Sequence, residues 1–494
     1  MYLSKSKYTR ALQCPKMLWM DTYMPEKAEG SESTEEVFET GNEVGDLARQ
    51  YFGDSALVDF DKGLSSMLEE TQEYINSGEA NIAEASFAVD GLFCSVDILH
   101  KNPYGWDIIE VKSSTWVHSV YYDDMAFQFY VLNKLGMNIT GVYNMHINGN
   151  YVRQGDLDLN QLFTVVDCTE TILEKQRTLK SNIEGIRRYM ALAEDFEPEK
   201  DLGIYCFEPY PCAYYNYCKR HLPENSVFDI RNFGKKKKLD LYHNGIISFE
   251  DVIRSKSKLS KSQLLQVESA VYHSKPAIDK RKIKSCLEEY TYPLYYLDFE
   301  TYQSAIPEYD GEKPYMQIPF QYSLHIQYEK DGELEHKEHL GVAGTDTRRA
   351  LAEQLCRDIP KDVCSLAYNM KFEKMVIKQL AEQYPDLAEH LMNIHDNMKD
   401  LMIPFKQKYY YSEALEGSYS IKYVLPALCP DDPELDYHNL EGIHNGSEAM
   451  AAFPDLLNHT LEEQEQIRKN LLAYCGLDTL AMVKVLEKLY EFIE

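Results

Sequence analysis

Two carboxylates and an ammonium stand close together at Asp97, Glu110 and Lys112. Carboxylates that converge on one point repel each other unless a cation neutralises them, and hard oxygen ligands suit Mg²⁺ or Mn²⁺. A water on such an ion becomes a nucleophile. A lysine two residues from a ligand can orient that water or offset charge building on an attacked phosphate. A second acidic set lies far along the chain: Asp298 and Glu300 one residue apart, Glu373 beyond an apolar stretch, and Asp478 four residues after Tyr474. A third set is sulfur. Cys206, Cys212 and Cys218 are separated by five residues each, and Cys14 precedes them in Leu12-Gln-Cys-Pro-Lys16. That spacing is wider than the two to four residues usual for structural zinc, whereas iron–sulfur clusters tolerate wider and less regular spacings.

The elements that would position these groups follow from pattern. Glu84 to Leu99 reads as strand with a turn at Asp90-Gly91, and Asn102-Pro-Tyr-Gly105 supplies the next turn. In the strand Trp106–Lys112, alternation sends Glu110 and Lys112 to one face and Ile109 and Val111 to the other. In Pro293–Thr301 it puts Asp298 and Glu300 on one face, with Phe299 opposite. Val363–Asn369 reads as a second apolar strand that leads into Phe372-Glu373 and a helix. A long amphipathic helix runs from about Glu462 to Ile493, with a break expected near Gly476. Tyr474 and Asp478 share one face of it. Strands mixed with helices predict α/β construction in two outer zones, 1–222 and 289–494. The stretch 223–288 reads as a helical connector, basic because Arg231 to Lys284 holds 14 Lys/Arg against 5 Asp/Glu.

The chain of 494 residues carries a formal charge of −29, which argues against a protein gripping nucleic acid over its whole surface. Local grooves remain compatible with it. No apolar run approaches the ~20 residues of a membrane span, and Met1–Cys14 lacks a signal-peptide core, so a cytoplasmic, membrane-free protein is expected. Eleven cysteines then suggest thiols and metal ligands over disulfides. There is no G-x-x-x-x-G-K-[ST] loop and no G-x-G-x-x-G turn, so an ATP-driven motor would be a separate protein.

Asp97 with Glu110-x-Lys112 resembles the signature of the PD-(D/E)XK nuclease superfamily. Its RecB-like branch would add Glu84 as a metal ligand and Gln128 on the following helix. One cysteine before the catalytic strands and three after them is similar to RecB-like nucleases with a [4Fe–4S] cluster, such as AddB-type subunits and CRISPR-adaptation nucleases. That resemblance implies cluster ligation by Cys14, Cys206, Cys212 and Cys218. The chain departs from the family at Leu132, where tyrosine is usual, and in Gly41–Ala48, which lacks the histidine often found there. The distal set resembles the DEDD exonucleases of RNase H-like fold. The likeness implies Asp298, Glu300, Glu373 and Asp478 as ligands of two divalent ions and Tyr474 as orienter of the attacking water. Glu373 stands where that family has aspartate. Pro314–His325 and Gly417–Pro426 are similar to a bacterial family of uncharacterised C-terminal domains. The second block offers Ser418, Ser420 and Lys422 as phosphate contacts. Tyr296, Tyr302 and Tyr315 are candidates to stack on splayed bases.

The expectation is therefore a nuclease with two candidate centres, acting on DNA, preferably single-stranded or at ends, in DNA processing or anti-phage defence beside a helicase or defence complex. The alternatives are an end-binding adaptor with one or both centres inactive, an RNA 3′ exonuclease and a cluster-based redox sensor.

Overall fold

The computed structural model describes residues 2–29, 34–192, 196–430, 432, 435 and 437–494. It is mixed α/β and comprises two compact units, 1–221 with 304–315, and 222–303 with 316–494. The stretch 223–288 thus belongs to the second unit instead of standing between two domains. Its basic exposed faces conceal Phe249, Val252, Val267 and Ile283, all buried. Conversely, 304–315 lies within the first unit, where Ala305 and Ile306 pack with Ile98, Ile109 and Met145. Among the described residues no helix is long and apolar enough to cross a membrane.

In the first unit, β1 (Leu3–Ser4) leads into α1 (Lys5–Gln13) and α2 (Pro15–Tyr23). Next come α3 (Thr34–Tyr51), β2 (Ala56–Leu57) and α4 (Leu64–Ser77). A meander follows, of β3 (Asn81–Val89), β4 (Leu92–Asn102) and β5 (Gly105–Lys112). Then α5 (Tyr121–Lys134) crosses to β6 (Ile139–Ile147), before α6 (Leu159–Leu162), β7 (Phe163–Asp167), α7 (Thr169–Leu192) and α8 (Tyr215–Cys218). The seven-stranded sheet runs β2-β3-β4-β5-β6-β7, with β1 beside β4. β3 and β5 are each antiparallel to β4, and β6 is parallel to β5. The β4–β5 turn forms because Asn102 Oδ1 accepts from the N–H groups of Tyr104 (2.8 Å) and Gly105 (3.0 Å). Ile108, Val142 and Val96 bury against α5 residues on one face, while Ile109 and Met145 bury on the other.

The second unit opens with α9 (Lys235–His243), α10 (Phe249–Arg254), α11 (Lys261–Tyr272), β8 (Ala277–Ile278) and α12 (Lys280–Leu287). Then come β9 (Leu294–Tyr302), β10 (Ile318–Gln327), β11 (Leu334–Leu340), α13 (Arg348–Asp358), β12 (Cys364–Ala367), α14 (Lys371–Gln383), α15 (Ala388–Asn397) and β13 (Met398–Asp400). The chain closes with α16 (Ile403–Lys406), β14 (Tyr410–Tyr411), α17 (Ile421–Leu428), α18 (Gly446–Asp455) and α19 (Leu461–Ile493). The five-stranded sheet has the order β11-β10-β9-β12-β13, and β8 pairs with β14. β10 is antiparallel to both neighbours, while β9, β12 and β13 are mutually parallel. Leu297 and Phe299 pack with residues of α13, α14 and α15, while Tyr296 packs with Met482, Val485 and Leu486 of α19. The break expected at Gly476 does not occur. The helix α19 continues through it, because Cys475 and Leu477 on either side are buried and packing outweighs the ~1 kcal/mol cost of a helical glycine. The helix starts on a capping box between Thr460 and Glu463.

Candidate functional site

In the first unit, sheet register gathers the acidic residues. Ala83 pairs with Ile98, and Ile98 with Ile109. One residue along from each, Glu84, Asp97 and Glu110 therefore form a row across three strands. Glu84 adopts φ 56°, a left-handed conformation that costs a non-glycine residue about 1 kcal/mol or more. Asp97 Oδ2 accepts from the Val111 N–H at 2.7 Å, and Lys112 Nζ donates to Glu110 Oε1 at 2.7 Å. Gln128 of α5 donates to Glu110 Oε2, and its own Oε1 is buried with no protein partner. Two further residues join that sequence reasoning did not single out. Lys5, at the start of α1, donates to Glu110 Oε1 at 2.9 Å and lies 3.9 Å from Asp97; Asp124 accepts from Lys112 at 3.3 Å. The only local hint of Lys5 is Ser4, which caps α1 and so sets where the helix begins.

The electrostatics of this centre are divided. Burial opposes charge on Glu110, yet Lys112 and Lys5 outweigh it and hold the carboxyl at about 2. Burial and the Glu110 charge push Asp97 up to about 6, and burial with Asp97 pushes Glu84 to about 8. These groups line a cleft of about 280 Å³ together with Gly41, Asn42 and Arg49. Three carboxylates thus share a row, two of them short of counter-charge, although their oxygens do not all lie within 4.8 Å of one another.

All four expected cysteines line one pocket between α2 and the loop 200–218. None is in a disulfide. Gln13 at the end of α1 ties that loop down, donating to the carbonyls of Tyr205 (2.8 Å) and Tyr210 (2.7 Å). Burial pushes Cys206 up to about 11, and the neighbours that raise it further are Cys14, Cys212 and Cys218. Arg10 beside Cys212, and Lys16 and Arg220 beside Cys218, work in the opposite direction and favour thiolate. Four unpaired thiols around one pocket with flanking cations form a donor set that a thiolate-ligated cluster fits. Of the other cysteines, 94, 168, 364 and 475 are buried and 286, 356 and 429 half-buried.

In the second unit, Asp298 pairs with Ser323 and Glu300 with Gln321 across β9 and β10. Glu373 enters from the first turn of α14, and Tyr474 and Asp478 from α19. Ligand atoms of Asp298, Glu300 and Cys475 lie within 4.8 Å of one another. Burial, then Asp478, Glu300 and Glu373, hold Asp298 far above the carboxylate range, and Glu300 is raised by burial, Asp478 and Glu373. Burial, Asp400 and Asp478 push Glu373 to about 8. Asp478 is raised by burial to about 6, against the pull of hydrogen bonds from Tyr437 and Tyr474. The Tyr437 hydroxyl is 2.6 Å from Asp478 Oδ1. Glu373 Oε2 is buried without a protein partner. An orphaned carboxylate oxygen beside three mutually repelling acids is the arrangement a divalent ion fits.

Sequence reasoning missed Asp400, Tyr437 and the placement of Cys475 here. Asp400 ends the three-residue strand β13, too short to carry a period-2 signal. The tyrosines proposed to stack on bases do something else: Tyr296 and Tyr302 are buried, and Tyr315 joins the first unit, where its hydroxyl donates to the Ser113 carbonyl.

Comparison with known proteins adds a family without an assigned role. Residues 295–420 match the family described as a domain of unknown function, DUF2779. The matched region holds Asp298, Glu300 and Glu373 and stops short of Tyr474 and Asp478. An uncharacterised protein, UU173, of Ureaplasma parvum serovar 3 is 26% identical over 212 residues, 38% of this chain and 30% of that protein. The chain thus aligns with under a third of that relative's length. No solved structure matches the chain at a significant level.

Proposed function

We propose that the chain is a metal-dependent nuclease that hydrolyses phosphodiester bonds of DNA, preferably in single strands or at ends. The observation that carries this reading is the cluster of Asp298, Glu300, Glu373 and Asp478, contributed by β9, α14 and α19, with Glu300 and Glu373 buried, Asp298 and Asp478 half-buried, and the group held together against its own repulsion. The strand order β11-β10-β9-β12-β13, with β10 alone reversed against the parallel three, supports an RNase H-like domain of DEDD type. The meander β3-β4-β5 with α5 crossing to a parallel β6 supports a PD-(D/E)XK domain of RecB-like type, and the cysteine pocket supports a [4Fe–4S] cluster in it.

Divalent ions bound at these carboxylates would supply an activated water and offset charge on the departing oxygen. The rest of the chemistry falls to the chain. Asp298 and Glu300 would present ligand oxygens from β9 and Asp478 from α19, which packs on Tyr296 of that strand. Tyr474, hydrogen-bonded to Asp478, is placed to orient the attacking water. In the first unit, Lys112 sets its ammonium beside Glu110 to counter charge on the attacked phosphate, and Gln128 fixes that carboxylate's other oxygen. One observation favours a second reading, a first centre that binds without cutting: Lys5 already gives Glu110 a second ammonium.

The test pairs Asp298→Asn with Lys112→Ala on 5′- and 3′-labelled DNA and RNA in Mn²⁺. The variant lacking a working centre should lose at least about 10²-fold of its cleavage, the scale of losing one electrostatic stabiliser. Wild-type protein that shifts the labelled strands on gels yet yields no product would overturn the enzyme reading in favour of an end-binding adaptor.

A further inference from the structure

Beside the second carboxylate centre lies a pocket of about 440 Å³ whose walls include Arg231, Asn369, Ser418, Tyr419 and Ser420. In a chain of net charge −29, this pocket has no carboxylate among its lining residues. The larger groove nearby, in the same unit, is lined by Glu224, Asp229, Glu413 and Glu416. The two differ in what they would accept. A guanidinium fork, a side-chain amide and two hydroxyls are donors suited to phosphate oxygens, and Tyr419 offers a ring face to a base.

The pocket adjoins the carboxylates on two sides. The Asn369 N–H donates to Asp400 Oδ1 at 3.0 Å, and Asp400 is the acid nearest in effect to Glu373. Two residues past Ser420, the ammonium of Lys422 acts on both Glu300 and Asp478.

Arg231 is built into this wall. Its Nη2 donates to the Tyr423 hydroxyl at 2.7 Å, and its backbone N–H to Gln266 Oε1 at 2.9 Å. The Gln266 amide in turn donates to the Asp229 and Glu416 carbonyls, at 3.0 and 3.1 Å. Gly417, at φ 77°, allows this approach: a Cβ there would come within 2.5 Å of the Gln266 amide and 2.9 Å of Arg231 Cγ. Lys408 underpins the loop by donating to the Gly417 and Ser418 carbonyls at 3.0 and 3.3 Å, and the Tyr368 hydroxyl donates to the Tyr419 carbonyl at 2.6 Å. The helix α9, with Lys235–Lys238 in its first turn, starts four residues beyond Arg231.

We propose that this pocket holds the sugar-phosphate backbone of a single-stranded polynucleotide whose end lies at the second carboxylate centre, and that 223–288 is therefore part of the substrate site. The proposal rests on the nuclease reading and names its substrate path. The test measures anisotropy of short fluorescent oligothymidylate and oligouridylate with the full chain in EDTA, from about 50 to 200 mM salt. Arg231→Ala should weaken binding about tenfold and lower the slope of log K against log salt by about one. Arg231→Lys should recover the slope while leaving affinity below wild type. Ser420→Asp alters an exposed position and keeps the test independent of folding; its added charge should weaken binding at least as much. Tighter binding of one oligonucleotide, with the same losses, supports the proposal and names DNA or RNA as the source. Wild type that binds while Arg231→Ala and Ser420→Asp bind equally well, with unchanged slope, overturns the path and leaves the nuclease reading intact. Wild type that neither binds nor cuts overturns both.

Discussion

Glu110 and Glu373 are both buried glutamates, yet their surroundings drive them in opposite directions. Glu110 has two ammoniums and is held at about 2; Glu373 has no ammonium among the groups acting on it, and burial, with Asp400 and Asp478, pushes it to about 8. Linkage then gives opposite signs. For Glu373, protonation favours the folded state fully below the ordinary carboxylate range, and that contribution is lost as pH rises through about 8. Metal-free protein should therefore show a second-unit melting temperature that falls between pH 6 and 9, and less so in Glu373→Gln. Added Mn²⁺ should stabilise more at pH 9 than at pH 6, as calorimetry would read directly. For Glu110, stability is present above the ordinary range and is lost as pH falls toward about 2. Lys5→Met should cost the first unit about 1–3 kcal/mol in denaturant unfolding, since it strips one partner from a buried charge. Mn²⁺ should recover more stability in that variant than in wild type.

At the scale of elements, legibility followed period and turn chemistry. The alternation in β5 and β9 put Glu110 with Lys112, and Asp298 with Glu300, where the structure has them, because a strand's period is two whatever surrounds it. The turns at Asp90-Gly91 and Asn102–Gly105 set the register that aligns Glu84 and Asp97 with Glu110. Lys5 was not legible, since it reaches Glu110 from a helix some hundred residues upstream and no local pattern encodes that meeting. The helix α19 passes its glycine because burial overrides propensity. The second unit's hold on 223–288 was hidden by basic exposed faces, whereas its anchors are single residues such as Gln266. The Gly417 approach makes that anchoring testable: Gly417→Val should destabilise the second unit by about 1–3 kcal/mol through overpacking at a positive φ, seen as a lower urea midpoint, and should also weaken oligonucleotide binding.

For the whole molecule, two units with separate cores predict two heat-absorption peaks in calorimetry. With the proposed cluster bound, Cys14→Ser should lower the first unit's transition and the iron content together, leaving the second unit's transition in place, while Gly417→Val should lower the second unit's transition alone. A single peak that both variants shift equally would contradict the division. The net charge of −29 confines polyanion binding to local surfaces, so the basic residues of 223–288 should account for most of its salt dependence.

The placement of 304–315 also bears on how the protein is made. A ribosome adding about 5–20 residues per second delivers that segment roughly 80 residues after His221, some 4 to 16 s later. Throughout that interval Ile98, Ile109 and Met145 lack the cover of Ala305 and Ile306, leaving the nascent chain with a sticky face of the kind chaperones capture. This last part of the first unit's core is thus added only after β9, and with it Asp298 and Glu300, has been synthesised.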